Sequence, residues 1–146
     1  MPLPVRLVAR AFQQYWRATR GLRLFVEACV FDQVGRVLMV RDENGGSWEL
    51  PGGPVRKGET LEAALHRILR ELLKIEVNGR PELSFFYAPV ANGHAGVYAV
   101  RNWQRLSLAA SPETNFFPPE ALPLGVAAET GERIRRSLGQ PTRSEV

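Results

Sequence analysis

The sequence predicts a single α/β domain, and three observations support that class. Runs of β-branched and aromatic residues, which are typical of strands, occur in both halves of the chain. An apolar pattern with helical spacing follows a glycine-rich loop, and a second helical pattern lies near the end of the chain. The 146 residues are enough for one domain with a buried core, and 45% hydrophobic and 23% charged residues are ordinary for a globular protein.

The first two strands are predicted to form a hairpin. Leu24–Phe31 is the outgoing strand, Asp32–Gly35 supplies the turn and Arg36–Arg41 is the return strand. Cys29 lies in the first strand, where a buried thiol is expected. Because it is the only cysteine, an internal disulfide and a cysteine-based zinc cluster are excluded.

Two helices are predicted in this domain. The first begins after Thr60, which is a suitable N-cap, and runs to about Leu73. Its apolar positions recur every three or four residues: Leu61, Ala64, Leu65, Ile68, Leu69, Leu72 and Leu73. The second runs from about Val126 to Leu138 and ends at Gly139.

The segment between the helices is predicted to contain two strands, Leu83–Ala88 and Gly96–Arg101, followed by a proline-rich crossing at Asn115–Glu120. We expect one domain over residues 22–146, preceded by an accessory helix over residues 1–21.

The accessory helix is predicted to be amphipathic. Val5, Val8, Phe12 and Tyr15 share one face, and no acidic residue precedes Glu27; the other face is polar and basic, with Arg6, Arg10, Gln13, Arg17 and Arg20. Three interpretations remain open: packing on the domain or on a second copy of the chain, contact with an anionic membrane surface or a partner, and an organelle-targeting peptide.

The net charge of +4 comes from a chain whose cations are almost all arginine, with Lys57 and Lys74 as the only lysines. Arginine suits phosphate recognition, so the charge permits an anionic ligand without identifying one. A nucleic-acid partner is not expected. No apolar run approaches the roughly 20 residues of a membrane-spanning helix, and we expect a cytoplasmic protein.

A spaced motif occupies the glycine-rich loop and the helix after it. Five residues separate Gly53, the last residue of Trp48–Gly53, from Glu59, and seven residues separate Glu59 from Arg67, which precedes Glu71. This pattern resembles the Nudix box: Gly, five residues, Glu, seven residues, then Arg-Glu-apolar-any-Glu-Glu-any-Gly-apolar. The resemblance covers roughly residues 22–139 and implies a Nudix-type α/β/α sandwich with a mixed β-sheet between helices.

Three positions depart from that motif. Ile68 stands where the first glutamate belongs, Leu72 where the last glutamate belongs and Lys74 where the glycine belongs. Glu71 alone remains of the three motif glutamates. Since a helix places residues three and four apart on one face, positions 68, 71 and 72 are expected to face the glycine loop together.

The resemblance implies hydrolysis of a nucleoside diphosphate linked to another moiety, with Mg²⁺ or Mn²⁺ bound weakly if at all. It implies catalytic roles at Glu71, Arg67 and Glu59, ligand contacts at Gly52, Gly53, Arg56 and Lys57, and metal ligands at Glu71 and Gly53. Arg67 and Glu59 would stabilise the geometry of the loop and the helix.

One carboxylate with backbone carbonyls is a poor Mg²⁺ site, because Mg²⁺ keeps its waters unless it is strongly held. Four acids elsewhere are candidates to replace the missing ligands: Glu62, Glu76, Glu113 and Glu120. We also expect that Ile68 and Leu72 accept glutamate without placing a charge in the core. The structural alternative is that both extend the apolar row through Leu61 and Leu65.

Weaker candidates remain. His66 and His94 are candidates for a base, although exposed and inert histidines are the simpler interpretation. Five aromatic residues are candidates to stack on a nucleobase or to belong to the core: Trp48, Phe85, Phe86, Tyr87 and Phe116. Three functions stay open: a hydrolase with weakened metal binding, a nucleotide- or phosphate-binding module without turnover, and an interaction protein.

Overall fold

The computed structural model describes residues 23–41, 46–107 and 113–139. The predicted N-terminal helix, with its Val5, Val8, Phe12 and Tyr15 face, lies outside those residues and stays a prediction, as does the division of the chain at residue 22. Among the described residues, no helix is both long and apolar enough to cross a membrane.

The described residues form eight strands and two helices. In chain order they are β1 (Arg23–Val30), β2 (Val37–Arg41), β3 (Gly52–Pro54), α1 (Leu61–Leu73), β4 (Ile75–Val77), β5 (Glu82–Val90), β6 (Gly93–Val100), β7 (Trp103–Arg105), β8 (Glu113–Phe117) and α2 (Ala128–Ser137).

The central sheet has the order β3–β1–β6–β5 and is mixed. β1 runs parallel to β6 over its whole length, from Arg23 opposite Gly93 to Val30 opposite Val100. The β1–β3 and β5–β6 pairs are antiparallel. Two small two-stranded sheets, β2–β8 and β4–β7, lie outside it.

The two helices cover opposite faces of the central sheet. Side chains alternate along a strand, so Val26 and Val30 of β1 pack with the apolar row of α1. Cys29, on the other face, packs in a second cluster with Ile134 of α2. The predicted α/β/α sandwich with a mixed sheet is therefore confirmed, and so is the buried position of Cys29, where burial raises the pKa of the thiol to about 12.

The predicted hairpin is wrong in its pairing. A single bridge, Phe31 to Val37, joins β1 to β2, and β2 then pairs with β8 over five residues. β1 instead pairs with β6 along its whole length and with β3 over Phe25–Glu27, and the Ala28 backbone N–H donates to the Pro51 carbonyl oxygen, so most of its pairing groups are already used. The predicted crossing at 115–120 is likewise wrong in part, because β8 reaches Phe117 before Pro118 ends it.

The predicted bounds of α1 are confirmed. The Thr60 hydroxyl accepts a hydrogen bond from the Ala63 backbone N–H at 3.0 Å, as an N-cap does. At the other end Lys74 adopts the left-handed conformation, with φ 56°, at the position where the motif has glycine. The helix therefore ends at the position expected from the Nudix box, although that position holds lysine and not the glycine that favours a left-handed conformation.

Candidate active site

The two glycines of β3 allow this short strand to lie between β1 and α1. A Cβ on Gly52 would collide with the backbone oxygen of Val26 and would stand 3.1 Å from Cγ of Glu27. A Cβ on Gly53 would stand on the opposite side, 3.2 Å from Cδ1 of Ile68. The loop thus passes close to both neighbours because it carries no side chains there.

Arg67 connects the helix to the loop before it through hydrogen bonds. Its Nε and Nη2 donate to the two carboxylate oxygens of Glu59 at 2.8 and 3.0 Å, and Nη2 also donates to the Pro54 carbonyl oxygen at 3.0 Å. The Arg56 backbone N–H donates to Glu59 at 3.0 Å. The hydrogen bonds from Arg67 hold the pKa of Glu59 below its usual range, and those to Glu59 raise the pKa of Arg67. This two-point pairing fixes the relative orientation of the Arg67 and Glu59 side chains and keeps both of them ionised.

The face of α1 beside the glycine strand is apolar at two of its three motif positions. Ile68 is 7% exposed and belongs to the core cluster, and Leu72 is partly buried against the same cluster. Glu71 is exposed, and its carboxylate makes no hydrogen bond or ion pair within the described residues. The expectation that Ile68 accepts a charge without burying it is therefore wrong, because its side chain lies between α1 and β3.

The four candidate replacement acids do not assemble a metal site. Glu62 lies 3.9 Å from Arg80, Glu76 pairs with Arg70 at 3.0 Å and Glu113 pairs with Arg41 at 2.7 Å. Glu120 lies exposed in the turn after β8. In the part of the chain that the structure describes, no group of three or more His, Cys, Asp or Glu residues is arranged to hold a metal ion.

The remaining loop residues of the predicted site are exposed. Arg56 and Lys57 lie between β3 and α1, and Gly58 has φ +81°, which turns the loop toward Glu59. Neither side chain lines the cleft that opens beside the glycine strand. Their assignment as phosphate contacts stays a prediction.

A cleft of about 270 Å³ opens beside β3, on the face of the sheet opposite α1. Gly52 and Gly53 form one side, and the apolar walls include Phe25, Leu50, Val90 and the ring of Tyr87. Two carboxylates, Glu27 and Glu49, also line it. Neither acid is among the predicted site residues.

Glu27 is held in this cleft by two donors from different elements. Its Oε1 accepts from the Tyr87 hydroxyl of β5 at 2.8 Å and from Nε of Arg133 of α2 at 3.0 Å. The Arg133 guanidinium also lies 4.5 Å from the centroid of the Tyr87 ring. Burial is the largest cause that raises the pKa of Tyr87, and Glu27 adds to it, so the phenol stays a hydrogen-bond donor. The sequence signal that could have pointed to Glu27 is its charge in the middle of a strand that is otherwise apolar.

Most of the candidate aromatic residues pack within the fold. Trp48 meets Phe117 edge-on at 5.1 Å, Phe116 stacks on Trp103 at 5.9 Å, and Phe85 and Phe86 pack on the two core clusters. Of the five candidates, Tyr87 is the one whose side chain lines the cleft. His66 is partly exposed on α1, and His94 lies within β6.

The family follows from the comparison with protein-family models, in which the NUDIX domain matches residues 21–137. The chain belongs to the Nudix family. The match spans the glycine strand, the Arg67–Glu59 pair and both helices, so the departures at Ile68, Leu72 and Lys74 lie within the matched region.

Solved structures agree on the fold. A MutT NUDIX hydrolase from Burkholderia pseudomallei is 23% identical, with 78% of this chain and 96% of that chain covered and a TM-score of 0.66. DR0079 from Deinococcus radiodurans is 24% identical, with 79% and 82% covered and a TM-score of 0.61. A UDP-X diphosphatase is 18% identical, with 94% and 73% covered and a TM-score of 0.62. Among curated protein sequences, none matches the chain.

Proposed function

We propose that this Nudix protein slowly hydrolyses the diphosphate bond of a nucleoside diphosphate linked to another moiety. The observation that carries the proposal is the set of hydrogen bonds from the Arg67 guanidinium. It donates to both carboxylate oxygens of Glu59 and to the Pro54 carbonyl oxygen, which keeps the glycine strand in place beside α1. The similarity to a UDP-X diphosphatase supports the substrate class.

The donor set suits a divalent ion that arrives with the substrate, rather than one held by the free protein. Mg²⁺ in phosphate-transfer sites is commonly held by one or two carboxylates together with the substrate phosphates. Glu71 and the Gly53 carbonyl would hold it here, and Ile68 and Leu72 add no oxygen. The ion would neutralise the diphosphate and lower the pKa of a bound water.

The chain's own residues account for the remaining steps. Arg67 and Glu59 hold the loop and the helix in register, and on this proposal Glu71 would reach the diphosphate from that helix. Arg56 and Lys57 present positive charge on the exposed loop, where a diphosphate would be attracted. The Glu71 carboxylate makes no hydrogen bond or ion pair within the described residues, so it can serve as the side-chain ligand of the ion.

The expected rate is low. A positioned general base contributes about 10² to 10⁴ in rate, equivalent to roughly 3 to 5 kcal/mol of barrier. Ile68 and Leu72 remove two groups that would share the metal and base roles in the Nudix box. Glu71 cannot replace both, so we expect turnover well below that of a Nudix protein with all three glutamates.

The test is product analysis with the wild-type chain and Glu71→Gln. Phosphorus NMR would follow a UDP-sugar, ADP-ribose and a nucleoside diphosphate in excess Mg²⁺ or Mn²⁺. We expect slow release of a nucleoside monophosphate by the wild type and loss of that activity in Glu71→Gln. Equal activity in both proteins would contradict the proposal, because it would place the chemistry elsewhere or in a contaminant.

A second candidate is a Nudix module that binds a nucleotide without cleaving it. The burial of Ile68 against Gly53 favours it, because that contact fills with methyl groups the place where the motif has a carboxylate. Saturable binding of the same compounds, with no product after prolonged incubation, would establish this candidate in place of the hydrolase.

A further inference from the structure

We infer that Glu27 selects the ligand of the cleft beside the glycine strand by accepting a hydrogen bond from the amino group of a nucleobase. The inference rests on the proposed function in one respect, since it takes this cleft as the place where part of the substrate binds.

The Glu27 carboxylate has a fixed orientation. Its side chain is 19% exposed, and its Oε1 accepts from both Tyr87 and Arg133. Arg133 is itself tied to Thr130 of α2 by a hydrogen bond of 3.3 Å. Because donors from β5 and α2 meet at one oxygen, the carboxylate is positioned before any ligand arrives.

The second oxygen of Glu27 has no hydrogen-bond donor among the described residues, since Tyr87 and Arg133 both donate to Oε1. The side chain keeps 19% of its surface exposed and lines the cleft, where Oε2 can accept a hydrogen bond from a ligand. An ionised carboxylate oxygen only accepts hydrogen bonds, so a ligand group beside it must donate one.

The rest of the cleft favours a flat, uncharged group. Its walls are apolar or aromatic, Glu49 supplies a second carboxylate, and no arginine or lysine is among the described residues that line it. A phosphate would meet the Glu49 carboxylate there, and Arg133, which lies beside the cleft, is already paired with Glu27. The volume of about 270 Å³ lies below the roughly 300–1,000 Å³ of sites for whole drug-sized ligands, so it suits one part of a nucleotide.

A metal ion is the weaker occupant for the same pair of acids. Arg133 already neutralises Glu27 at 3.0 Å, and the described residues hold no group of three metal-ligating side chains. A neutral nucleobase with an N–H donor needs no further negative charge. We infer recognition at the exocyclic amino group, which projects from the edge of guanine and cytosine and which hypoxanthine and uracil lack.

The test compares nucleotides that differ at the amino group. GMP with IMP and CMP with UMP are suitable pairs, since monophosphates contain no diphosphate bond that the protein can cleave. We expect the amino-bearing member to bind about tenfold more tightly in at least one pair, measured by calorimetry on the full chain.

Two variants assign that preference to Glu27. In Glu27→Gln the amide oxygen continues to accept from Tyr87 and Arg133, which turns the amide NH₂ toward the cleft; the preference should disappear or reverse toward UMP. Glu82→Gln, the same substitution at an exposed position of β5 outside the cleft, should keep it. If Glu27→Gln fails to fold, a crystal structure of the wild type with the preferred nucleotide decides, with its amino nitrogen expected within hydrogen-bond distance of Glu27.

Equal affinities within both pairs, a preference that survives in Glu27→Gln, or a base bound away from Glu27 would overturn the inference. These results are separable from the fate of the proposed function. Diphosphate turnover without base preference would leave the hydrolase and remove the role of Glu27. Base-selective binding without turnover would keep the role of Glu27 and remove the hydrolase.

Discussion

Cδ1 of Ile68 lies 3.2 Å from the point where a Cβ on Gly53 would stand. This contact joins the helix of the Nudix motif to the glycine strand, and it is made by a methyl group where the motif has a carboxylate. The same side chain belongs to the core cluster that includes Leu65 and Leu69 of α1. Ile68 therefore stabilises the fold at a position where the Nudix box has a metal-binding glutamate, and its side chain offers no oxygen to a metal ion.

Ile68→Glu should destabilise the fold by at least about 3 kcal/mol, since it removes apolar packing and buries an unpaired charge. Ile68→Val is the packing control, with an expected loss of about 1 kcal/mol. Urea denaturation at neutral pH would measure both. Near-equal stabilities of Ile68→Glu and Ile68→Val would mean that the glutamate reaches solvent, and the account of Ile68 as a core residue would be wrong.

Leu72→Glu is the better attempt to restore catalysis. Leu72 is partly exposed beside the exposed Glu71, so a carboxylate there remains solvated and the fold should lose only about 1 kcal/mol. A second carboxylate should raise Mg²⁺ affinity and increase diphosphate turnover about tenfold or more, which is about 1.4 kcal/mol of barrier. Leu72→Gln, which adds polarity without charge, is the control. A folded Leu72→Glu variant no faster than Leu72→Gln would show that the cleft has changed in other respects.

The two glycines of β3 should respond differently to alanine. Gly52→Ala places a methyl group against the Val26 backbone oxygen, which cannot move without breaking the β1–β3 pairing. Gly53→Ala meets the end of a flexible isoleucine side chain, which can rotate away. We expect a loss of more than about 2 kcal/mol for Gly52→Ala and less than about 1 kcal/mol for Gly53→Ala. Thermal melts in which Gly53→Ala is less stable than Gly52→Ala would contradict these contacts.

The Glu59–Arg67 pair should make stability depend on pH. The hydrogen bonds from Arg67 lower the pKa of Glu59 in the folded state, so their contribution is present above the unfolded pKa of about 4.3 and is lost as pH falls through the folded value. The difference in unfolding free energy between the wild type and Glu59→Gln should be about 1–2 kcal/mol at pH 7 and should shrink below about pH 4. A difference that stays constant down to about pH 3 would contradict the role of the pair.

The parts of the fold that sequence predicted well are those set by local pattern. α1 follows from thirteen residues of helical spacing and from Thr60 at its cap, and both appear as expected. The pairing of β2 with β8 brings together Arg41 and Glu113, which are 72 positions apart, and no local pattern indicates it. β3, β4 and β7 have three residues each, too few for a period to emerge.

The same distinction applies to the site. The resemblance to the Nudix box led to the Glu59–Arg67 pair, because both residues match positions of that motif, eight residues apart. Glu27 and Arg133 lie 106 positions apart, on β1 and α2, and only the packing of α2 on the sheet brings them together. Ile68 could be assigned to the core or to the site from sequence, and the structure places its side chain in the core cluster, beside Gly53.

The dependence of diphosphate turnover on Mg²⁺ concentration tests most directly whether Glu71 is the carboxylate that supports hydrolysis in this chain. With one carboxylate and the substrate phosphates as ligands, half-saturation should fall in the millimolar range, and Glu71→Gln should abolish the metal-dependent rate. Saturation at micromolar Mg²⁺, or an unchanged rate in Glu71→Gln, would show that other ligands hold the ion and would contradict the account.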